Sequence, residues 1–217
     1  MIYEPVQANR YFTKTDHYSD IDWSDFDAVV TAFETRINNW YFEPATELAD
    51  ATGHFAFSIM AINCLLIDTF SQFAAGQLGS SAGTFKSFIS NNLPNFNANL
   101  TNTISHTYHN RQTTLATVAD VVYHGFRCWI LHQAHIPLYG GIDPGGSPFQ
   151  EVVSGLTTYS VDGSACPTVS INPLRLLDDL KTYFAGYISD LKNTDTRFDA
   201  LRTNFKVKFT DSFGVPV

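Results

Sequence analysis

Residues 53–76, GHFAFSIMAINCLLIDTFSQFAAG, constrain the fold of this 217-residue chain more than any other segment. Apolar side chains occupy nearly every side of a helix drawn over this stretch, and the stretch ends at Gly76. A helix that is apolar all round must be buried on most sides, and glycine is the residue that most often ends a helix. The sequence therefore predicts a central buried helix with other helices packed around it.

Residues 114–135 form a second segment with strong helical character. Pro137, Gly140 and Gly141 prevent its continuation, and its apolar face is made of Val118, Val121, Val122, Phe126, Trp129 and Ile130. The same periodicity predicts shorter amphipathic helices near residues 26–37, 44–50, 85–93, 173–192 and 198–209. Ser24 or Asp25 is expected to cap the amino end of the first of these helices. Five to seven helices make the chain a mainly α bundle.

The remaining segments are predicted to be less regular. Residues 1–22 are expected to form an N-terminal arm, and residues 139–172 a loop and hairpin insertion within a single domain of residues 1–217. The only β structure is expected in residues 150–172, as a hairpin that turns at Asp162-Gly163. Residues 91–117, rich in asparagine and threonine, fit either a polar loop or a poor helix.

Composition narrows the function classes. Thirteen Lys and Arg against 21 Asp and Glu give a net charge of −8, which excludes an overall basic coat for nucleic acid and leaves only a local patch. No run of 18 apolar residues is present, so we expect no membrane span. The sequence also shows no basic segment followed by an apolar one, as a secretion signal would have, so we expect a cytoplasmic location. Three scattered cysteines, Cys64, Cys128 and Cys166, fit neither a disulfide framework nor a zinc knuckle.

Charge is also distributed unevenly. Residues 174–208 hold seven of the thirteen bases. These bases either form a solvated mixed-charge helix face, which is the ordinary role of such blocks, or flank an anionic substrate.

Common cofactor and metal motifs are missing from the sequence. It contains no phosphate loop, no G-x-G-x-x-G, no H-E-x-x-H and no G-x-S-x-G. His132 and His135 lie three residues apart, but no matched carboxylate pair accompanies them, so we predict no metal and no cofactor. Asp178 and Asp179 fit a solvated or capping pair better than an acid–base dyad.

Arg127 is the most unusual residue of the second segment, because it stands in the otherwise apolar run GFRCWILH. A guanidinium buried among apolar groups is costly unless it is paired. One interpretation is structural: Arg127 forms a salt bridge to Asp120 or Glu34, and His132 interacts favourably with the carboxyl end of the helix.

The stretch YHGFRCWILHQA, residues 123–134, resembles the R-x₄-H motif of the HEPN superfamily (higher-eukaryote and prokaryote nucleotide-binding). Residues 40–48 are similar to the upstream W-x₃-PA-x₂-L pattern of bacterial and plasmid-borne members. Residues 170–191, SINPLRLLDDLKTYFAGYISDL, are similar to the helix that follows their hairpin insertion. The resemblance is firm over about 118–135 and loose over 36–76 and 171–208.

This resemblance implies an α-helical bundle that dimerises and brings two Arg/His pairs into one cleft. Many HEPN proteins are metal-independent endoribonucleases of toxin–antitoxin or phage-defence systems. It therefore implies Arg127 and His132 as catalytic residues, RNA as substrate, a second copy of the chain as partner and, in a toxin system, an antitoxin protein. Histidine exchanges protons near neutral pH, and arginine stabilises a phosphorane, so the residue types suit the chemistry.

The alternative is a catalytically inactive HEPN-fold protein that binds a partner, or an unrelated helical-bundle binder. Active members often carry a polar residue directly after the arginine, where this chain has Cys128. Five residues along an ideal helix turn through about 500°, so Arg127 and His132 would point about 140° apart. They meet only if the helix ends near Leu131 or if a dimer completes the site. A salt-bridged Arg127 would favour the inactive alternative.

Overall fold

The computed structural model describes residues 10–108, 111–152, 159–161 and 164–217. It is mainly helical, with 62% helix and 13% strand, which confirms the predicted mainly α class. The helices are α1 (Phe26–Ile37), α2 (Glu43–Asp50), α3 (Ala56–Ala75), α4 (Ala82–Asn92), α5 (Val118–Val121), α6 (Cys128–Gln133), α7 (Pro173–Lys192) and α8 (Asp199–Phe213). π-Helical turns at Asn38–Phe42 and Val122–Arg127 join α1 to α2 and α5 to α6.

Local caps explain several of these boundaries. Asp25, not Ser24, caps α1, because its carboxylate accepts a hydrogen bond from the Asp27 amide at 3.0 Å. α3 ends at Gly76, which adopts a left-handed conformation with φ of 61°. A Cβ there would lie 2.8 Å from Asn204 Oδ1, so both the backbone and the close approach of α8 require glycine.

Helix α3 lies at the centre of the bundle, as its apolar sequence predicts. It packs against α7, α4, α8 and the motif helix, by which we mean α5, the π-helical turn and α6 (residues 118–133). Phe70 of α3 stacks on Phe184 of α7 with ring centroids 5.0 Å apart. α3 is also long and apolar enough to cross a membrane, with a mean hydropathy of 1.4, although half of that window is buried in the protein. A central core helix meets the same criterion, so this property alone does not assign a location.

The β structure differs from the prediction. Residues 91–117 are neither a loop nor a helix throughout, because β1 (Asn99–Tyr108) pairs antiparallel with β2 (Arg111–Thr117). The 150–172 segment is thus not the only β region. Residues 114–117, which were predicted to begin the second helix, belong to β2, and the helix begins at Val118. Threonine side chains suit a two-stranded ribbon, and Ile104 and Leu115 pair across it and are buried.

The predicted insertion contains strands on both sides of the predicted turn. β5 (Tyr159–Val161) pairs with β6 (Ser164–Cys166), and the turn residues Asp162-Gly163 between them lie outside the described residues. A separate sheet has the order β3 (Gly140–Ile142), β7 (Thr168–Ile171), β4 (Phe149–Val152). β3 and β7 are parallel, and β4 and β7 are antiparallel.

The described part of the N-terminal arm, from residue 10, packs on the bundle. Phe12 is fully buried, with the Arg36 guanidinium 5.0 Å from its ring centroid and Trp23 in edge contact. Buried residues from the arm to α8 form one continuous apolar cluster.

Candidate functional site

The motif helix brings the two residues of the R-x₄-H motif together. Arg127 Nη1 lies 3.4 Å from His132 Nε2 within one chain, and Nη1 donates to Nε2 when the imidazole proton is on Nδ1. Five residues of helix rise only about 7.5 Å, which an arginine side chain can span. The helix ends at Gln133, and Ala134 adopts a left-handed conformation with φ of 50°. The expected 140° divergence therefore does not separate the two groups.

Local sequence explains how the motif helix is positioned. Thr117 and Asp120 form a capping box at its start: Thr117 Oγ accepts from the Asp120 amide at 3.0 Å, and Asp120 accepts from the Thr117 amide at 3.1 Å. The π-helical turn then reaches Arg127 and carries Phe126 into the core. Such π-helical turns occur frequently at functional sites.

Asp68 of α3 is the acidic partner of Arg127. Arg127 Nη2 lies 3.2 Å from Asp68 Oδ2, and each side chain is 17% exposed. The salt bridge of the structural interpretation is present, but its acid is neither Asp120 nor Glu34, which pair with Lys86 and Lys192, each at 2.9 Å. Both of those acids have nearer bases, whereas α3 lies directly against the motif helix. A sequence signal for Asp68 existed, because it is the only Asp, Glu, Lys or Arg in residues 53–76.

Ser80, in the segment between α3 and α4, joins this ion pair. Its hydroxyl donates to Asp68 Oδ1 and accepts from Arg127 Nη2 at 3.4 Å. Ser80 is exposed, so the Arg127–Asp68 ion pair lies close to the protein surface, next to the Ser80 hydroxyl. Sequence reasoning missed Ser80, and no pattern around it indicates this contact.

The remaining sides of the Arg127 side chain face protein. Its guanidinium carbon lies 5.7 Å from the ring centroid of Tyr123, one helical turn earlier. Nε is buried and has no hydrogen-bond partner among the described residues. Burial lowers the pKa of Arg127, but the nearby Asp68 carboxylate outweighs that effect and leaves the pKa above its ordinary value. Arg127 therefore stays charged at any physiological pH.

Two cysteines lie beside this cluster without acting as ligands. Cys64 and Cys128 are free thiols, and burial raises the pKa of the fully buried Cys64. A thiol buried in this way stays protonated and is unreactive. In the described residues no three His, Cys, Asp or Glu side chains gather in a way that could hold a metal ion.

The remaining candidate residues do not join the Arg127–His132 pair. His135 is exposed and is in ring contact with Trp129 at 5.9 Å. Asp178 is exposed, whereas Asp179 accepts a hydrogen bond from Asn95 Nδ2 at 2.8 Å, so the two do not form a dyad. Several C-terminal bases have acidic partners of their own: Lys192, Arg197, Arg202 and Lys208. Lys208 is buried, so the region is not a solvated face throughout.

Comparison with known proteins adds no relative. No protein-family model, no curated protein and no solved structure matches this chain. The family resemblance therefore depends on the sequence motifs alone.

Proposed function

We propose that this protein is a metal-independent endoribonuclease of the HEPN type, with Arg127 and His132 as its catalytic residues. The contact between Arg127 Nη1 and His132 Nε2, at 3.4 Å, is the observation that carries the proposal. A base and a fixed positive charge within hydrogen-bonding distance can engage one scissile phosphodiester together. His132 is exposed, so a nucleic-acid strand can reach it.

The chemistry assigned to these groups is transesterification. His132 exchanges its contact with Arg127 for one with the RNA, and its freed Nε2 accepts the proton of the ribose 2′-hydroxyl. The 2′-oxygen attacks phosphorus, and the bond to the 5′-oxygen breaks. The products are a 2′,3′-cyclic phosphate and a free 5′-hydroxyl, whose proton comes from an acid. The Arg127 guanidinium stabilises the additional negative charge on the pentavalent phosphorus through charge-assisted hydrogen bonds.

One chain supplies one Arg/His pair, so we propose a homodimer as the active unit. The histidine of one copy then removes the 2′-hydroxyl proton, and the histidine of the other copy donates a proton to the leaving oxygen. A single imidazole cannot be neutral and protonated at the same time when the reaction begins. A toxin or phage-defence role, with an antitoxin protein as partner in the cytoplasm, would follow from this activity.

A second candidate function is a catalytically inactive HEPN-fold binding protein. The Arg127–Asp68 ion pair favours it, because the carboxylate already occupies one edge of the guanidinium. The net charge of −8 also opposes non-specific attraction of RNA. The contact of Nη1 with the exposed His132, away from the Asp68 carboxylate, distinguishes the first candidate from this second one.

Cleavage of varied single-stranded RNAs in the presence of chelator separates the two functions. The ribonuclease proposal expects cyclic-phosphate ends that disappear in Arg127→Ala and His132→Ala. The binding-protein proposal expects RNA to remain intact with all three proteins.

A further inference from the structure

We propose that Asp68 and Ser80 are positioning residues for the ribonuclease reaction: together they hold the Arg127 guanidinium so that its Nη1 edge faces His132 and the substrate phosphate. This inference rests on the function proposed above and adds two residues to it. Neither Asp68 nor Ser80 is assigned contact with RNA.

The three side chains form a closed hydrogen-bonded triangle. Arg127 Nη2 donates to Asp68 Oδ2 at 3.2 Å and to Ser80 Oγ at 3.4 Å, and the Ser80 hydroxyl donates to Asp68 Oδ1. A hydroxyl can donate and accept at once, so Ser80 donates to an oxygen of Asp68 and accepts from an N–H group of Arg127. Because the guanidinium is planar, two anchors on Nη2 fix where Nη1 lies.

The form of the ion pair argues against a purely structural role. Structural Arg–carboxylate pairs gain most from two parallel hydrogen bonds. Here only Nη2 contacts Asp68, while Nη1 lies toward His132 and the buried Nε has no partner among the described residues. This arrangement gives up one hydrogen bond to the carboxylate and keeps Nη1 available for a phosphate oxygen.

The Ser80 segment is itself held by the surrounding helices. Ser81 Oγ accepts from the Thr84 amide at 3.1 Å and caps α4 directly after Ser80. From α8, Lys208 Nζ donates to the Leu78 carbonyl at 3.4 Å, and Asn204 Nδ2 donates to the Ala74 carbonyl at 2.8 Å. These bonds fix both ends of the segment, so the hydroxyl of Ser80 is presented to the ion pair at a defined place.

Steady-state cleavage of single-stranded RNA by the full chain tests the assignment. Asp68→Asn should lower kcat by about 10- to 100-fold with KM changed less than about 3-fold, because a misplaced group impairs reaction more than binding. Ser80→Ala should lower kcat by about 3- to 10-fold for the same reason. Asp68→Glu keeps the charge and should recover part of the activity lost in Asp68→Asn. Two exposed residues of the same types, in Asp178→Asn and Ser87→Ala, provide matched controls that should keep wild-type rates.

Guanidinium rescue gives a readout that a role in stability alone would not change. Arg127→Ala leaves space beside Asp68 and Ser80, and added guanidinium ion at millimolar concentration should restore part of the cleavage. It should also raise the melting temperature of Arg127→Ala relative to equal sodium chloride. Both effects should vanish in Arg127→Ala combined with Asp68→Asn.

The outcomes separate this inference from the proposed function. An active wild type, an impaired Asp68→Asn with a partly active Asp68→Glu, and rescue that requires Asp68 support the inference. If the wild type cleaves RNA and Asp68→Asn keeps the same kcat, the inference is wrong and the ribonuclease function stands. If the wild type is inert, the ribonuclease function and the positioning role of Asp68 and Ser80 are both wrong. Guanidinium stabilisation of Arg127→Ala would then show only that Asp68 binds the cation.

Discussion

Arg127 and His132 meet side chain to side chain, with Nη1 and Nε2 3.4 Å apart, although they lie five residues apart on one helix. The length of the arginine side chain and the end of the helix at Gln133 make this contact possible within one protomer. Asp68 and Ser80 occupy the other terminal nitrogen of the guanidinium. The arginine therefore presents to an exposed histidine the terminal nitrogen that Asp68 and Ser80 do not contact.

The first prediction concerns assembly. The proposed active unit is a homodimer, so the chain should form a two-fold dimer that buries at least about 1,000 Å² in total, with the motif helix at or near the interface. Light scattering at micromolar concentration should give twice the mass of 24.2 kDa. Arg127→Ala should give the same mass, because the dimer does not depend on catalysis. A monomer under these conditions would contradict the assembly and weaken the ribonuclease proposal.

The second prediction concerns the stability of Arg127→Ala. Truncation leaves Asp68 half-buried without its base, which should lower the free energy of unfolding by about 1–3 kcal/mol while the bundle still folds. Urea titration followed by circular dichroism measures this change. His132→Ala removes an exposed side chain and should stay within about 0.5 kcal/mol of wild type.

A double-mutant cycle isolates the pair. Arg127→Ala combined with Asp68→Asn should cost less than the sum of the single changes, because the uncompensated carboxylate is gone. Strict additivity would show that the two side chains do not interact in solution.

The third prediction concerns acid stability and the cap of the motif helix. Burial raises the pKa of Asp120, but hydrogen bonds from Lys86 and Thr117 outweigh it and bring the pKa below its ordinary value. A carboxyl with a lowered folded pKa stabilises the protein above its unfolded pKa of about 3.9, and this contribution is lost as pH falls through the folded value. Asp120→Asn should therefore cost about 1–2 kcal/mol at pH 7 and less at pH 3.

Urea titrations at both pH values test this dependence. Asp178→Asn, on the exposed side of α7, is the matched control and should change stability little at either pH. An equal loss for Asp120→Asn at pH 7 and pH 3 would contradict the role of its charge.

The sequence predicted best what depends on local apolar pattern. The central helix α3 and the motif helix follow from runs of apolar residues that only a buried helix can accommodate. Strands β1 and β2 were missed, because their Asn- and Thr-rich sequence shows little alternation and their pairing is a property of two segments together. The strands on either side of the Asp162-Gly163 signal do pair as predicted.

The site was predicted only in part, for a similar reason. The motif named Arg127 and His132, but not the partners that orient the arginine. Asp68 lies 59 residues before Arg127, and Ser80 lies 47 before it, so only packing of α3 on the motif helix brings them together. The sequence did hold a signal for Asp68, because it is a lone acid in one apolar helix and Arg127 is a lone arginine in another. It held no signal for Ser80.

The central claim is tested most directly by the products of RNA cleavage. Purified wild type should cut single-stranded RNA in chelator and leave 2′,3′-cyclic phosphate ends, identified by mass spectrometry. Arg127→Ala and His132→Ala should each lower the rate by about 10²–10⁴-fold, while His135→Ala, in a neighbouring exposed histidine, keeps nearly all of it. Equal inactivity of wild type and every variant on varied RNAs, or cleavage unaffected by loss of Arg127 and His132, would contradict the account.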